Sequence, residues 1–367
     1  MSQTSSTKNN AVSARQIAFF AAFILPVYKL VEAPSLLAAY AKGDLLLPAL
    51  IHFFSQLGVI IALLIAASKS RRPLMERLQE KLGKKLLIFY GFYAVYYLFA
   101  AVLPLLDLEK LVYAAFYDTA PTLFSFGAFF LLVAFVCTKH LRSVGRFADL
   151  SVFLFVLPFL ALIIMSIVET DFSSLLPFFE RDLTDSLTAV SKTTAHFSDA
   201  ALLMPLLLHT QYEKGDSKKI LGGYGVGAGL TLVFLAVFYG VFTTVAPREH
   251  YAFLKIAQYF PALSVIGRID LLFSYCICAI LFFCTCLPLQ YATGCLSTLI
   301  GEDKRPWIAA AIAFVSFLFT LFCNRFYDSI YGLFGGVFLP VFIIGCNTLP
   351  SLPSLLFLKK KNKKEKT

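Results

Sequence analysis

The sequence predicts an all-α polytopic membrane protein with ten transmembrane helices. Hydrophobic residues make up 59% of the chain and charged residues only 15%, and the mean hydropathy is +0.77. Apolar runs of about 20 residues, the length a helix needs to cross a bilayer, recur from one end of the chain to the other. A helix satisfies its own backbone hydrogen bonds in lipid, so these runs favour a helical bundle over a soluble domain with one anchor.

The ten predicted spans fall into two sets of five along one domain, residues 15–358. They cover residues 15–40, 45–67, 86–106, 120–137, 148–168, 188–210, 220–246, 269–299, 306–323 and 329–357. Residues 1–14 are predicted to form a disordered tail and residues 359–367 a basic tail. The first span begins like a signal peptide, but prolines and charged residues interrupt its apolar run, so we expect it to be retained.

The distribution of basic residues predicts the orientation of the bundle. Of the 32 Lys and Arg residues, 23 lie at the two termini, Arg15 included, and in the loops after the even-numbered spans. The positive-inside rule therefore places both termini in the cytoplasm. The basic loop 68–85 is amphipathic and should lie along the membrane surface, whereas Asp107 and Glu109 fall in a loop on the opposite side. The net charge of +10 thus gives no indication of nucleic-acid binding.

The first span of each set of five is irregular. Pro26 and Pro34 each lack an N–H and free a carbonyl four residues earlier, which predicts a break in the first helix. In the sixth span, Pro205 has the same effect, and nearby Ser and Thr side chains can satisfy loosened backbone groups. Breaks at matching positions of two halves are typical of transporters built as 5+5 inverted repeats, whose binding site lies near the midplane between the breaks.

Charged side chains inside these two spans are the main candidates for a site. Lys192, His196 and Asp199 fall within about 60° of one another on a continuous helix. A charge at the centre of a membrane helix costs about 2.5 to 3.5 kcal/mol on insertion scales, so such a cluster implies partners, water or a ligand. The cluster is either a self-satisfied polar triad near the outer interface or a group that binds solute or relays protons.

Lys29 and Glu32 lie inside the predicted first break. They form either an i, i+3 ion pair or a site in which Lys29 meets an anion while Glu32 or Asp199 balances the charge. Tyrosines of the third span, Tyr93 and Tyr97 among them, provide an aromatic face that lines a pocket or belongs to an interface belt. The candidate substrate-binding residues are Pro26, Tyr28, Lys29, Glu32, Tyr93, Tyr97, Lys192, His196 and Asp199.

Other patterns in the sequence have structural explanations. Gly223 and Gly227, like Gly225 and Gly229, have the spacing of close helix packing, and no strand precedes them as a phosphate-binding loop would require. The cysteine pairs of the eighth span diverge around the helix and do not form a metal site. No catalytic or nucleotide-binding motif is present, so we predict neither an enzyme nor a cofactor or metal.

Several short motifs, taken in order, resemble those of one family. They are Pro34-Ser35 closed by Ala41-Lys42-Gly43-Asp44, Gly145-Arg146-Phe147-Ala148-Asp149, Leu175-Leu176-Pro177, Phe197-Ser198-Asp199 and Gly267-Arg268-Ile269-Asp270. The chain thereby resembles the spore germination permeases, the transporter-like B subunits of germinant receptors within the APC amino acid permease superfamily. The resemblance implies a LeuT-like fold with spans one, three, six and eight around a small-molecule site.

The chain departs from the family's pattern at two places. The family's eighth-span tryptophan is absent, because the only tryptophan is Trp307, and the first break has no glycine to expose backbone N–H groups to a carboxylate. Lys29 is then the candidate that supplies the positive charge for a ligand carboxylate.

The resemblance implies a nutrient-sensing receptor subunit in the spore inner membrane or the cell membrane. Its expected partners are a small-molecule germinant, with amino acids as the expected class, companion A and C receptor subunits, and the lipid bilayer. A proton-coupled amino acid transporter is the alternative, because the fold and the acid-base cluster also suit that activity. A scaffold with a degenerate site is the third reading.

Overall fold

The computed structural model describes residues 12–116, 122–176, 182–259, 269–324 and 326–358. Secondary structure in these ranges is helical, without strands. Most of the predicted N-terminal tail, the C-terminal tail 359–367 and the Gly267-Arg268 motif lie outside the described residues. The all-α class predicted from the sequence is therefore confirmed for the part of the chain described.

Seventeen α-helices are described, and some of them are segments of membrane helices that are interrupted. In chain order they are α1 (Ala14–Phe19), α2 (Ala33–Ala41), α3 (Leu46–Ser68), α4 (Leu74–Leu82), α5 (Leu86–Ala100), α6 (Val102–Phe116), α7 (Thr122–Cys137), α8 (Leu141–Ile167), α9 (Leu183–Thr193), α10 (Asp199–His209), α11 (Asp216–Phe242), α12 (Ala252–Tyr259), α13 (Ile269–Ile300), α14 (Arg305–Asn324), α15 (Tyr327–Phe334), α16 (Leu339–Ile343) and α17 (Leu349–Leu358).

Within the described ranges, seven helical stretches are long and apolar enough to cross a membrane. They are Leu46–Ser68, Leu74–Ala114, Leu141–Ile167, Asp216–Arg248, Leu271–Ile300, Glu302–Cys323 and Leu339–Phe357. The pair Ala14–Lys29 and Ala33–Asp44 passes the same test when taken together, bent by 59° at its break. Two shorter apolar helices, Gly127–Cys137 and Asp199–His209, lie where the fourth and sixth spans are predicted. The chain is thus a polytopic membrane protein.

The first membrane helix is interrupted between Lys29 and Ala33. After α1 the chain forms a π turn and then a 3-10 turn, Leu25–Lys29, before it bends. Pro34 lacks the N–H that would bond the carbonyl of Leu30. That carbonyl instead accepts from the Phe253 N–H at 3.1 Å, and the Val31 carbonyl accepts from the Ala252 N–H at 2.9 Å. The N-terminus of α12 therefore satisfies the backbone that the break leaves open.

A second interruption separates α9 from α10. Between them, Phe197 (φ −108°, ψ 49°) and Ser198 (φ −93°, ψ 36°) leave the helical conformation. The half-helix α9 packs against α2, and α10 packs against α3 and α1. Each half of one broken helix therefore lies beside a half of the other, and this arrangement brings the two breaks together.

The third predicted span continues beyond its expected end. A turn at Ala101 separates α5 from α6, which extends to Phe116. Asp107 and Glu109 are consequently buried in α6, with 4% and 0% of their surface exposed. Their predicted placement in an outer loop is wrong, because the helix resumes immediately after Ala101 and carries both carboxyl groups into the bundle.

The basic segment that follows the second span forms the predicted amphipathic helix, α4. Leu74, Met75 and Leu78 are buried on one face, whereas Gln79 and Glu80 are exposed on the other. Arg77 donates to the carbonyls of Ala66 and Ala67 at the end of α3, which holds α4 against the bundle.

Small residues allow α11 to pack closely against the first helix. A Cβ atom added at Gly223 would collide with the backbone of Ala18, and one added at Gly227 would collide with the Ala21 carbonyl oxygen. The predicted packing role of this pair is confirmed. The same prediction is wrong for Gly225 and Gly229, because a Cβ there would meet no atom within 4 Å.

Leucine at position 223 is expected to destabilise the protein by about 1 to 3 kcal/mol, the usual cost of overpacking a tight contact. The side chain would push α1 away from α11, since the obstructing atoms belong to the Ala18 backbone and cannot rotate aside. Thermal unfolding of the purified protein in detergent measures the effect. Gly225→Leu is the matched control, because it makes the same change on the open face of α11, and equal losses in both variants would contradict the packing role of Gly223.

Candidate small-molecule site

A buried ion pair joins the two helix breaks. The Lys29 Nζ atom lies 2.5 Å from Asp199 Oδ1, and both side chains are 1% exposed. Lys29 also donates to the Leu25 carbonyl at 3.0 Å, and the Tyr224 hydroxyl donates to Asp199 Oδ2 at 3.0 Å. The first span therefore contributes the cation of the pair and the sixth span contributes the anion. The pair joins the bend after Lys29 to the N-terminus of α10.

The position of Asp199 suits a carboxylate. It is the first residue of α10, where unpaired backbone N–H groups and the helix dipole favour negative charge. The next amide, that of Ala200, donates to Gln56 Oε1 at 3.0 Å, and Gln56 Nε2 donates to Asn347 Oδ1 at 2.9 Å. The start of α10 is thus held by an ion pair on one side and an amide network on the other.

Aromatic rings enclose the ion pair. The Lys29 ammonium lies 5.3 Å from the ring centroid of Phe197 and 5.9 Å from that of Phe53. His52 stacks on Phe197 with centroids 4.3 Å apart, and its Nε2 atom lies 3.1 Å from the Thr193 hydroxyl. These rings cover the buried pair and pack against Phe197, the residue at which the chain leaves the helix.

A small central cavity of about 20 Å³ lies beside the breaks. Its lining includes Tyr28 from the first span, Asp107 from α6, His196 and Ser198 from the second break, and Pro288 from α13. The Tyr28 hydroxyl donates to the Cys284 carbonyl, which joins the first break to α13. Asp107 Oδ1 is buried and has no hydrogen-bond partner among the described residues. The cavity therefore contains an unused acceptor at the meeting point of four spans.

A larger vestibule of about 380 Å³ lies beside the breaks, at the end of the bundle that carries α12 and α15. Its acidic, basic and histidine lining residues are Glu32, Lys192, His196, His250 and Asp328. Leu103 and His196 line both the vestibule and the central cavity, so these two side chains stand between the spaces. The vestibule presents groups of both charge signs to a molecule that enters it.

Contacts within the vestibule fix two of its charges. Glu32 Oε2 lies 3.1 Å from His250 Nδ1, while Glu32 Oε1 is buried without a hydrogen-bond partner in the described part of the chain. Lys192 Nζ donates to the Gly335 carbonyl at 3.2 Å, which leaves further ammonium N–H groups for other acceptors. Glu32 thus keeps one free acceptor and Lys192 keeps free donors.

The nine candidate residues separate into groups in space. Glu32, Lys192 and His196 line the vestibule, and Tyr28 lines the central cavity. Lys29 and Asp199 pair with each other beside these spaces, and Pro26 is buried in the 3-10 turn between Leu25 and Lys29.

Tyr93 and Tyr97 line a third cavity near α4, away from the vestibule. Lys192, His196 and Asp199 do not share one helix face, because the chain is nonhelical between His196 and Asp199. The lysine that pairs with Asp199 is Lys29, from the first span.

Sequence reasoning did not find several polar residues of the site. Tyr224 and Gln56 lie inside spans where a single Tyr or Gln gives no distinctive signal. His250 belongs to a loop that the sequence does not connect to Glu32. Asp107 did have a signal in the sequence, because it is an acidic residue directly after an apolar run. It was assigned to a loop, however, and therefore was not considered as a site residue.

The contact between Glu32 and His250 is expected to make stability depend on pH. The hydrogen bond to Glu32 raises the pKa of His250 above its usual value near 6.5, and the carboxylates of Glu249 and Asp328 act in the same direction. A raised folded-state pKa means that the stabilisation is complete below the unfolded pKa and is lost as pH rises through the folded pKa.

Thermal unfolding of wild type and His250→Gln between pH 5.5 and 9 tests this dependence. The unfolding temperature of wild type should be higher than that of His250→Gln at the acidic end of the range. This difference in unfolding temperature should disappear at the alkaline end. Glu32→Gln should remove the same dependence, since it deletes the charge that the histidine faces. A constant difference between wild type and His250→Gln across the range would contradict the prediction.

Comparison with known proteins identifies one family. The family model for spore permeases, described as spore germination protein, matches residues 45–327 of the 367-residue chain. The match includes Lys192 of α9, the second break and α13, and it begins after the first break with Lys29 and Glu32. A search of the curated proteins found no match.

Proposed function

The chain belongs to the spore germination permease family, and we propose that it is the germinant-sensing subunit of a spore germination receptor, with an amino acid as its ligand. The family is one of membrane permease-like and receptor-like proteins, which agrees with the helical bundle. The charged groups of the vestibule support a small polar molecule as the ligand.

The mixed charge of the vestibule is the observation that carries the proposal. An amino acid has a carboxylate and an ammonium group on one carbon, so its site needs a cation and an anion close together. Lys192 has free ammonium donors for the carboxylate, and Glu32 Oε1 is a buried acceptor for the ammonium group. Charge-assisted hydrogen bonds of this kind are roughly twice as strong as neutral ones.

The two neighbouring spaces suggest how binding would produce a signal. The central cavity, at about 20 Å³, has room for little more than one water molecule. A ligand that moves from the vestibule past Leu103 and His196 must therefore widen the space between the breaks. A ligand shifts a conformational equilibrium only as far as it binds one state better than another, so a ligand that fits only the widened site would favour that state.

We propose the ten-span, LeuT-like arrangement for the whole bundle. Two broken helices, each five spans from the other, pack with their halves side by side, as inverted repeats require. The shorter helices Gly127–Cys137 and Asp199–His209 complete the fourth and sixth spans in this arrangement. The site then lies among spans one, three, six and eight.

The proposed orientation places α4 and both termini in the cytoplasm, because the basic loops cluster at that end. A cysteine that replaces Gln79, an exposed residue of α4, should react with a membrane-impermeant thiol reagent only after the cells are opened. The experiment uses a background in which reactive native cysteines are replaced. Labelling of position 79 on intact cells would exclude the ten-span topology.

Binding and accumulation measurements separate the proposed receptor from a transporter. The purified protein should bind one or a few radiolabelled amino acids, and Glu32→Gln and Lys192→Met should each weaken that binding. In liposomes, a sensing subunit binds its ligand without concentrating it, and its output requires the companion A and C subunits that we propose as partners. Absence of amino acid binding in the intact protein would refute the proposal.

A proton-coupled amino acid transporter is the second candidate function. The buried carboxyl group of Asp107, with an unused oxygen beside the central cavity, is the observation that favours it, since intramembrane carboxyl groups commonly carry protons in transporters. Accumulation of an amino acid in liposomes under an imposed proton gradient, abolished in Asp107→Asn, would establish this function instead.

A further inference from the structure

A third cavity, which we call the α4-end cavity, lies at the opposite end of the bundle from the vestibule and has a volume of about 100 Å³. Residues of α4, α5, α10, α13 and α14 form its wall, including Tyr93, Gln290 and Arg305. Among the described residues, none lines both this cavity and either of the other two. It is therefore a separate candidate site.

Gln290 provides a hydrogen-bond acceptor of fixed orientation. Its Nε2 atom donates to the Lys139 carbonyl at 2.9 Å and lies 3.2 Å from the Ser143 hydroxyl. A carbonyl can only accept, so the amide group must present its nitrogen there and its oxygen elsewhere. Gln290 is 2% exposed, and its Oε1 atom is buried without a partner in the described part of the chain.

Arg305 provides a donor next to the same space. Its Nη2 donates to the Lys139 carbonyl at 2.8 Å, and its Nη1 lies 3.4 Å from Glu302 Oε2. The remaining donor, Nε, is buried and has no partner within the described ranges. The guanidinium is thus anchored by its outer nitrogens, while the inner N–H is left for a further acceptor.

Two more groups of the cavity complete its polar side. His209 Nδ1 lies 2.8 Å from the Pro205 carbonyl, so the ring must donate from Nδ1, and Nε2 is an acceptor in the neutral ring. The Tyr93 hydroxyl is buried and has no partner among the described residues, although its ring packs against Phe89 at 4.5 Å between centroids. The aromatic side, which includes Tyr90, offers rings for an apolar group.

These groups define the chemistry of a ligand. The carboxylate of Glu302 already pairs with Arg305, so a charged ligand would bring a charge that no free counter-charge balances. A primary carboxamide is uncharged and carries two N–H donors and one carbonyl acceptor. Its donors suit Gln290 Oε1 and His209 Nε2, and its carbonyl oxygen, with two lone pairs, suits both the Arg305 Nε–H and the Tyr93 hydroxyl. We propose that the α4-end cavity binds a small uncharged carboxamide attached to an aromatic group.

Titration of the full-length protein in detergent with benzamide, followed by ligand-observed NMR, tests the proposal. Benzamide should bind saturably, and benzoate, which has the same shape but a charge and no N–H donors, should bind much more weakly. Tyr93→Phe removes only the hydroxyl and should weaken benzamide binding by about two- to tenfold, the worth of one neutral hydrogen bond. Gln290→Leu should weaken it at least as much.

Control variants separate this site from its surroundings. Tyr96→Phe alters the neighbouring tyrosine, whose hydroxyl lies 3.2 Å from Cys346 Sγ, and should leave benzamide binding unchanged. Lys192→Met, in the vestibule, should also leave it unchanged, so failure here and failure of the proposed sensing function are distinguishable. The proposal is overturned if benzamide does not bind saturably, if benzoate binds equally well, or if Tyr93→Phe has no effect.

Discussion

Replacing Asp199 with asparagine is expected to destabilise the protein by about 3 to 5 kcal/mol, the cost of leaving a buried charge without its partner. The Lys29 side chain is 1% exposed and, within the described ranges, has an ionic contact with Asp199 alone, so the ammonium cannot turn to water when the carboxylate is removed. Thermal unfolding in detergent and the amount of protein in the membrane measure the loss. The germination response should fall with the abundance of the protein.

The double variant Lys29→Met, Asp199→Asn identifies the cause. Removing both charges leaves no buried ion unpaired, and replacement of a buried pair by neutral groups is often nearly neutral for stability. The double variant should therefore be more stable than Asp199→Asn alone. Strictly additive losses would show that the pair does not act as a unit.

Asp149→Asn is the matched control for the charge change. Asp149 is 35% exposed and pairs with Arg15, which is 68% exposed, at 3.2 Å. Exposed pairs of this kind contribute at most about 1 kcal/mol, because water and salt screen them. A loss in Asp149→Asn as large as that in Asp199→Asn would contradict the special role of the buried pair.

The first break was predictable because proline acts locally. Pro34 removes one hydrogen bond at a known carbonyl, whatever the rest of the chain does, and the structure places the bend four residues before it. The group that satisfies that carbonyl was not predictable. It belongs to Phe253, more than two hundred residues away, and no local pattern encodes such a contact.

For the charged cluster of the sixth span, local sequence was not enough to predict the geometry. A continuous helix would place Lys192, His196 and Asp199 on one face. The sequence of Thr193 to Ser198 does not indicate where the chain leaves the helix. Once Phe197 and Ser198 turn out of it, Asp199 faces Lys29 and Lys192 faces the vestibule. The residues were identified from the sequence, but their partners depended on the tertiary structure.

The two lysines of the site are expected to differ in their response to a ligand carboxylate. Lys29 donates to Asp199 and to the Leu25 carbonyl and lines neither the central cavity nor the vestibule. Lys192 lines the vestibule and donates only to the Gly335 carbonyl among the contacts described. On the proposed function, Lys192 therefore replaces Lys29 as the counter-charge for the carboxylate.

Lys192→Met should weaken an amino acid ligand by about tenfold to over a hundredfold, since a charged hydrogen bond is worth about 1.5 to 3 kcal/mol. Methionine keeps much of the length and apolar contact of the lysine stem while it deletes the ammonium, so packing beside Gly335 should survive. The amide analogue of the same ligand has no carboxylate and should lose little on mutation. Binding of acid and amide to wild type, Lys192→Met and Lys29→Met forms the full comparison.

Lys29→Met is the control within that comparison. It removes the partner of Asp199 and should weaken acid and amide ligands to the same extent, through the geometry of the breaks. A carboxylate-specific loss in Lys29→Met but not in Lys192→Met would show that the ligand displaces Asp199 from Lys29 and binds between the breaks. Equal effects of Lys192→Met on both ligands would exclude Lys192 as the carboxylate contact, because only an interaction with the charge distinguishes the two molecules.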